Sequence, residues 1–400
     1  MVRRPGTPSL LRELNDKAAL ELLLTGGPLT RAQIGVHTGL SKVTASQLLV
    51  RLEERGLVHV VGEQAGGRGP NAALYAVVPS SAYVAGLHVE SDMVSAGVAD
   101  VTGRVVTEVT VDPNGAEDPV ELVRSAVATA CRSAGVELSL LNAFVIGSPG
   151  VVDPRTGDPR LAVNLPYWHE GVLAALRSAL HRSVTIENDV NLAAMAEHAV
   201  GAARGVDDFV LAWIGVGLGL ATMLGGRLHR GVTGAAGEIG YLPVPGVPLP
   251  EDITRPDAGG FQSLVGAKAV RTLAAGHGFT GQSAGAAVRA AVSSIGAAGG
   301  AGGAGGAGGT AFLDELARRV AVGIASVAVV LDPGLVVLGG EVGMAGGAAL
   351  AARVAAEVGR ICPATPRVVA TGVTGGPVLR GAMLAAVGQA RAELLASVCA

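Results

Sequence analysis

Three stretches of this 400-residue chain gather carboxylates, amides and glycines in patterns that can act on a polyhydroxylated or phosphorylated ligand. The first is Ile186-Glu187-Asn188-Asp189-Val190-Asn191, a strand running into a helix. Asp189 can accept a proton from a hydroxyl or simply hydrogen-bond it, and Asn188 carries a donor and an acceptor on one side chain. The same residues also suit a helix start in which Asp189 or Asn191 caps the backbone. The second is Gly215-Val216-Gly217-Leu218-Gly219-Leu220, followed by Gly225 and Gly226. Alternate glycines let a phosphate approach bare backbone, and they equally suit a tight hairpin. The third is Gly234-Ala235-Ala236-Gly237-Glu238-Ile239-Gly240-Tyr241. Glu238 on such a loop can accept from a sugar hydroxyl, or stand as an ordinary solvated charge.

A fourth stretch, Pro28 to Leu57, suits a different ligand. It reads as two short helices about a tight turn. Thr30 caps the first, Gly39 turns in the left-handed conformation, and Ser41 caps a second helix from Lys42 to about Arg55. Ile34, Leu40, Val43, Leu48, Leu49 and Leu52 form the expected buried face. Ser41, Lys42, Thr44, Ala45, Ser46 and Gln47 then occupy the exposed start that a helix-turn-helix pushes into the major groove, with Gln47 able to pair with adenine. Lys42 and Arg51 are placed to hold phosphates. Leu57–Val61 and Ala72–Val77 read as strands around a Gly-rich tip, Gly62 to Asn71, which makes a wing. Arg68 on that tip is aimed at a minor groove or a phosphate. Leu10 to about Leu24 reads as a preceding helix that packs through Leu11, Leu14, Ala18 and Leu22.

Charge separates these functions. Residues 1–80 hold nine Lys and Arg against six Asp and Glu, a balance of +3, and the remainder hold 21 against 27, a balance of −6. A mildly basic head on an acidic body fits a DNA-binding domain joined to a body that does not bind DNA, and the overall −3 excludes a basic nucleic-acid coat. The cysteines, Cys131, Cys362 and Cys399, have no paired spacing, which argues against a disulfide framework or a zinc cluster. The first 17 residues contain basic groups but no apolar run, so no signal peptide is expected. The 18 uncharged residues from Phe209 to Gly226 contain five glycines and read as two strands and a turn. A cytoplasmic protein without membrane association is expected.

From Ala82 the body reads as a meander of three strands followed by alternating helices and strands, and from Asp208 the pattern restarts. Such a duplication predicts an α/β fold whose ligand lies beyond the carboxyl ends of the strands, between the halves. The expected domains are residues 1–80, 81–205 and 206–400. Within the last, the Gly/Ala-rich run 296–309 is expected to be a flexible loop ahead of a helix starting near Ala311.

The set of motifs resembles the ROK family (repressor, open reading frame, kinase): the winged head, SPGVVD at Ser148–Asp153, NLPYW at Asn164–Trp168, ENDVN, GVGLG and GAAGEIGY. More narrowly it is similar to that family's repressors, which join a winged helix-turn-helix to a sugar-kinase-like body of duplicated, ribonuclease H-like, actin-like ATPase fold. The resemblance assigns Asn188, Asp189 and Glu238 to sugar hydroxyls, Asp189 being the catalytic base of the kinases, and places Asn164 near the sugar. It also exposes departures. The kinases open their first hairpin with an Asp-x-Gly-Gly-Thr-type phosphate loop, where this chain has Leu87-His88-Val89-Glu90-Ser91-Asp92. Tyr241 stands where the family has a zinc-binding, sugar-contacting histidine, and Asp257–Ser263 (DAGGFQS) lacks the family's zinc cysteines. Neither ATP nor zinc is therefore expected, Asp189 is a vestigial base, and Tyr241 can still hydrogen-bond a ligand. The resulting expectation is a non-enzymatic regulator, a repressor of carbohydrate-related genes. Its partners would be a palindromic DNA operator, a sugar-like effector and further copies of itself as a dimer or tetramer. A ROK sugar kinase with a DNA-binding appendage is the alternative.

Overall fold

The structure, a computed structural model, describes residues 8–65, 71–113, 116, 118–162, 165, 167–255, 258–297 and 304–399. The chain forms two compact units. One runs to Ile146 and takes in Ala174–Thr185 and the chain from Ala382; the other comprises Gly147–Leu173 and Ile186–Gly381.

The first unit opens with α1 (Pro8–Gly26), β1 (Leu29–Thr30), α2 (Arg31–Thr38) and α3 (Lys42–Glu54), then β2 (Val58–Gln64) and β3 (Ala72–Val77). Thr30 and Gln33 close a reciprocal capping box at the start of α2. The helix ends on Gly39 at φ 70°, a left-handed conformation that costs glycine little. Ser41 caps α3 by accepting from the Thr44 amide. The three strands form one sheet in the order β1-β3-β2. Its hairpin is longer than expected, because Gly62, Glu63 and Gln64 pair with Leu74, Ala73 and Ala72 after a bulge between Val60 and Gly62.

Two expected faces are corrected. The core of the head takes Ala19, Leu20 and Leu23 from α1, whereas Leu11, Leu14 and Ala18 point outward. In α3 the buried set is Ala45, Leu48, Leu49 and Leu52, and Val43 is 66% exposed. Ala19, Leu20 and Leu23 form the apolar inward face of α1, and Asp16 on the same side is paired: Arg51 of α3 donates to it from Nε at 2.9 Å and from Nη2.

The first body sheet comes from β4 (Tyr83–Val89), β5 (Val94–Asp100), β6 (Val105–Val111), α4 (Pro119–Ala134) and β7 (Leu141–Ser148). There follow a short hairpin, β8 (Val151–Val152) with β9 (Pro159–Arg160), then α5 (Val172–Leu180), β10 (Ser183–Asn188) and α6 (Asp189–Val200). The second sheet comes from β11 (Phe209–Ile214), β12 (Leu218–Leu224) and β13 (Arg227–Leu228). In chain order there follow α7 (Gln262–Val265), α8 (Ala267–Gly276), α9 (Ala284–Ala297), α10 (Ala304–Leu331), β14 (Leu335–Gly339), α11 (Gly340–Ile361), β15 (Arg367–Ala370) and α12 (Pro377–Ser397), β14 and β15 completing the sheet. The strand orders are β10-β7-β4-β5-β6 and β13-β12-β11-β14-β15. Read from the meander outward, these are one topology used twice. A continuous core joins β11, β12 and β14 to α7–α11.

The Gly/Ala-rich run is not the expected loop throughout. Residues 304–309 form the first turns of α10. Gly309 lies so close to α9 that a Cβ there would stand 2.7 Å from the Ala291 carbonyl, so its lack of a side chain permits helix packing rather than mobility.

Candidate nucleic-acid interface and effector site

Helix α3 presents one stripe outward. At roughly 100° per residue, Val43, Gln47, Val50 and Glu54 share a face opposite Ala45, Leu48, Leu49 and Leu52. Lys42 and Gln47 are exposed at its start. Three expected polar readers already have partners. The Ser41 and Thr44 hydroxyls are 2.9 Å apart, and Ser46 Oγ accepts from Arg31 at 2.9 Å. A hydroxyl so held keeps lone-pair capacity, so these groups orient rather than vanish as contacts. Two expectations are corrected. Ala45 is fully buried and cannot reach a base, and the Arg51 guanidinium is committed to Asp16, which raises its already high pKa chiefly through that hydrogen bond. Arg68 lies outside the described residues. Sequence reasoning gave no contact to Arg31 and assigned Val43 to the core, although Val43 and Val50 are both exposed. Arg31 had a signal, its place at the first position of α2 facing the start of α3.

In the second unit, β10 delivers Asn188 to the start of α6. Asn188, rather than Asp189 or Asn191, is the helix cap: its Oδ1 accepts from the Asn191 amide at 3.1 Å. Its amide donates to the Gly150 carbonyl at 3.0 Å, in the loop after the SPG segment. Each end of the amide keeps one further hydrogen-bonding capacity, now at a fixed position. Asp189, half-buried, accepts from the Val190 amide at 2.8 Å. Beside both stands a buried group to which motif reading gave no role. Glu187 accepts from the Asn188 amide at 3.0 Å, from Asn191 Nδ2 at 2.9 Å and from Arg230 Nε at 2.7 Å. Arg230 thereby ties the loop leading to Glu238 to the end of β10.

That loop is joined to the sheet where the Leu220 amide of β12 donates to the Gly237 carbonyl at 2.8 Å. Burial pushes the Glu238 carboxyl above its ordinary pKa. Tyr241 is raised too, first by burial and then by the charges of Glu238 and Asp252. The Tyr241 hydroxyl is already used, donating to the Ile253 carbonyl at 2.5 Å. Asn164 lies outside the described residues. The GVGLG run is a hairpin turn, with the Gly215 amide on the Gly217 carbonyl at 3.2 Å. Gln262, in the segment where zinc ligands would lie, instead holds that turn. It accepts from the Leu218 amide at 3.0 Å and donates to the Val216 carbonyl at 2.8 Å. With Phe261 buried beside it and the Tyr241 hydroxyl engaged, these residues do not fit a zinc ion.

The β4–β5 turn offers no phosphate cradle. Leu87 and Val89 are buried in the sheet, and the Glu90 amide donates to the Met93 carbonyl at 2.9 Å. Burial lowers the His88 pKa to about 4, so it brings no positive charge at neutral pH. Glu90, raised by burial and by Asp92, shares the turn with that second carboxylate.

Residues 84–386 match the ROK family, and the chain belongs to it. Residues 13–69 match the MarR family. The N-acetylglucosamine repressor of Escherichia coli O6:H1 is 26% identical over 241 residues, 60% of this chain and 59% of that protein. The chain thus spans about three fifths of the length of the curated relatives it matches. Among solved structures, a ROK family transcriptional regulator homologous to the E. coli MLC protein superposes over 98% of this chain and 99% of its own. Its TM-score is 0.73 at 17% identity, a likeness of fold. The ROK hexokinase of Thermus thermophilus covers 78% of this chain and 99% of its own, with TM-score 0.61 and 29% identity.

Proposed function

We propose that this chain is a ligand-responsive DNA-binding transcriptional regulator, a repressor of carbohydrate-related genes, built from a head (residues 1–80) and a body (81–205 and 206–400) that binds an effector and dimerises. The observation that carries the reading is α3: a capped helix beside a β-hairpin, with Lys42 and Gln47 exposed at its start and its other face sealed in the core. A helix so mounted suits the major groove. Dimerisation of the body gives two heads for two half-sites of a palindromic operator, spaced about one helical turn or a multiple of it.

The effector is a sugar or sugar derivative. Asn188, Asp189 and Glu238 supply the mixed donors and acceptors that hydroxyl groups need, and Glu187 links the Asn188 backbone to Arg230, on the chain that leads to Glu238. The effector acts by binding one arrangement of the dimer more tightly than the other. Phosphoryl transfer has no place in this account. The β4–β5 turn carries Glu90 and Asp92, like charge that disfavours a triphosphate, so a sugar hydroxyl served by Asp189 as base would have no phosphoryl donor to attack. The kinase reading keeps the support of likenesses to ROK kinases, the Thermus thermophilus hexokinase among them.

The test is fluorescence anisotropy of the full chain on its own upstream intergenic DNA and on duplexes selected from a random pool, with random duplex as competitor. Binding that outcompetes random DNA is expected. Failure on both, with sugar-dependent ATP hydrolysis, would return the kinase.

A further inference from the structure

Most of the polar groups at the start of α3 are partly spoken for, and one apolar group is not. Ser41 and Thr44 share a hydrogen bond, Ser46 accepts from Arg31, and Ala45 is buried. Val43 is 66% exposed, one residue inside the helix start, between exposed Lys42 and half-buried Thr44. It stands on the outward stripe in line with Gln47, four residues on. A lone exposed valine needs no explanation. Val50, two turns on, is 51% exposed on the same stripe, but among the described residues Val43 is the exposed apolar group at the helix start, the end that a helix-turn-helix presents to base edges.

We infer that Val43 is a specificity-determining residue that reads the C5 methyl group of a thymine in the operator. The inference rests on the DNA-binding reading and adds the chemistry of one base. In the major groove thymine alone of the four bases offers a methyl, and its partners are apolar side chains. An unbranched polar residue at this place would hydrogen-bond any of several base edges; a valine can reward only a methyl and leaves polar edges unsatisfied. Val43 and Gln47 are about 6 Å apart along the helix axis, roughly two base-pair steps. The pair therefore specifies a thymine contact close to the adenine contact open to Gln47. Lys42, exposed beside Val43, can reach the phosphates that flank the same bases.

The test is a methyl deletion on each side of the contact. The full chain is used to select a duplex from a random pool. Each thymine of that duplex is then replaced in turn by uracil, which removes the methyl and nothing else. With wild-type protein, one such position per half-site is expected to weaken binding about fourfold, the effect of exposing one methyl-sized apolar group. Replacement in both half-sites is expected to cost roughly fifteenfold. Val43→Ala is expected to bind the thymine duplex about fourfold more weakly per half-site and to be indifferent to uracil at that position. Val43→Thr, which keeps one methyl, is expected to lie between the two. Unchanged thermal melting of both variants separates this from misfolding. If the wild type is indifferent to every uracil, or if Val43→Ala is as sensitive as the wild type, the inference fails while DNA binding stands. If no duplex can be selected, the DNA-binding reading fails and the inference with it.

Discussion

Replacing Arg51 by alanine separates a structural role from a phosphate contact. An arginine that held a phosphate would release about one counterion, and its loss would lower the slope of log affinity against log salt by about 0.9. The geometry predicts otherwise. The Asp16 side chain is 10% exposed and that of Arg51 31%, and two guanidinium nitrogens bond the carboxylate. Removing one partner of a fully buried pair costs about 3–5 kcal/mol, whereas an exposed pair is worth about 0–1. The partial exposure of Arg51 sets the expected cost at roughly 2 kcal/mol, or about thirtyfold in an opening equilibrium. Hydrogen exchange of the full chain, read by mass spectrometry on peptides of α1 and α3, should therefore quicken about thirtyfold. The salt slope of DNA binding should stay unchanged. The double variant Asp16→Leu with Arg51→Met should return exchange close to the wild-type rate, because an apolar pair leaves no buried charge. A salt slope lower by about 0.9 with unaltered exchange would refute the reasoning.

Three further outcomes are expected. Gln47→Ala should weaken operator binding by about 1–3 kcal/mol and relax preference at one base pair, with binding to random duplex unchanged, as read by anisotropy. Glu197, buried in α6, accepts from the amides of Ala202, Gly372 and Val373 and from the Thr371 hydroxyl. Glu197→Ala leaves those donors unmatched and should cost at least about 3 kcal/mol. Fluorescence of Trp168 and Trp213, both in the second unit, would follow its urea unfolding. His88, held down to about pKa 4, stays neutral while the unfolded chain protonates near pH 6.5. Its contribution to stability is therefore lost as pH falls through that window, by about 2 kcal/mol from pH 7 to pH 5. Glu90, shifted upward, offsets part of this by taking its proton in the folded state first. Urea midpoints at the two pH values should show the loss, and His88→Gln should flatten it.

The parts of the molecule that were legible are those written in local chemistry. Thr30, Gly39 and Ser41 declare the ends of α2 and α3, and the restart of the meander declares the duplicated body, because caps and periodicity act within a few residues. What stayed hidden depends on distant partners. Leu11, Leu14 and Ala18 have helical spacing, yet so do Asp16, Ala19 and Leu23; which face turns inward depends on distant partners such as Arg51, 35 positions from Asp16. Val43 and Ala45 exchanged roles for the same reason, since crossing α2 closely favours the smaller side chain. The run of glycines and alanines reads as slack chain, but Gly309 serves the close approach of α10 to α9. At the proposed effector site, sequence motifs alone single out Asn188, Asp189 and Glu238. The Glu187–Arg230 pair, which bonds the Asn188 amide beside them, could not be read from the sequence, because 43 residues separate its members.

The measurement that bears most directly on the central claim is the anisotropy of a labelled operator duplex with the full chain, titrated with a panel of sugars with and without ATP. The account predicts that at least one sugar lowers the affinity for DNA, that ATP makes no difference, and that no phosphorylated sugar appears. A head whose DNA affinity ignores every sugar while one of them is phosphorylated would contradict it.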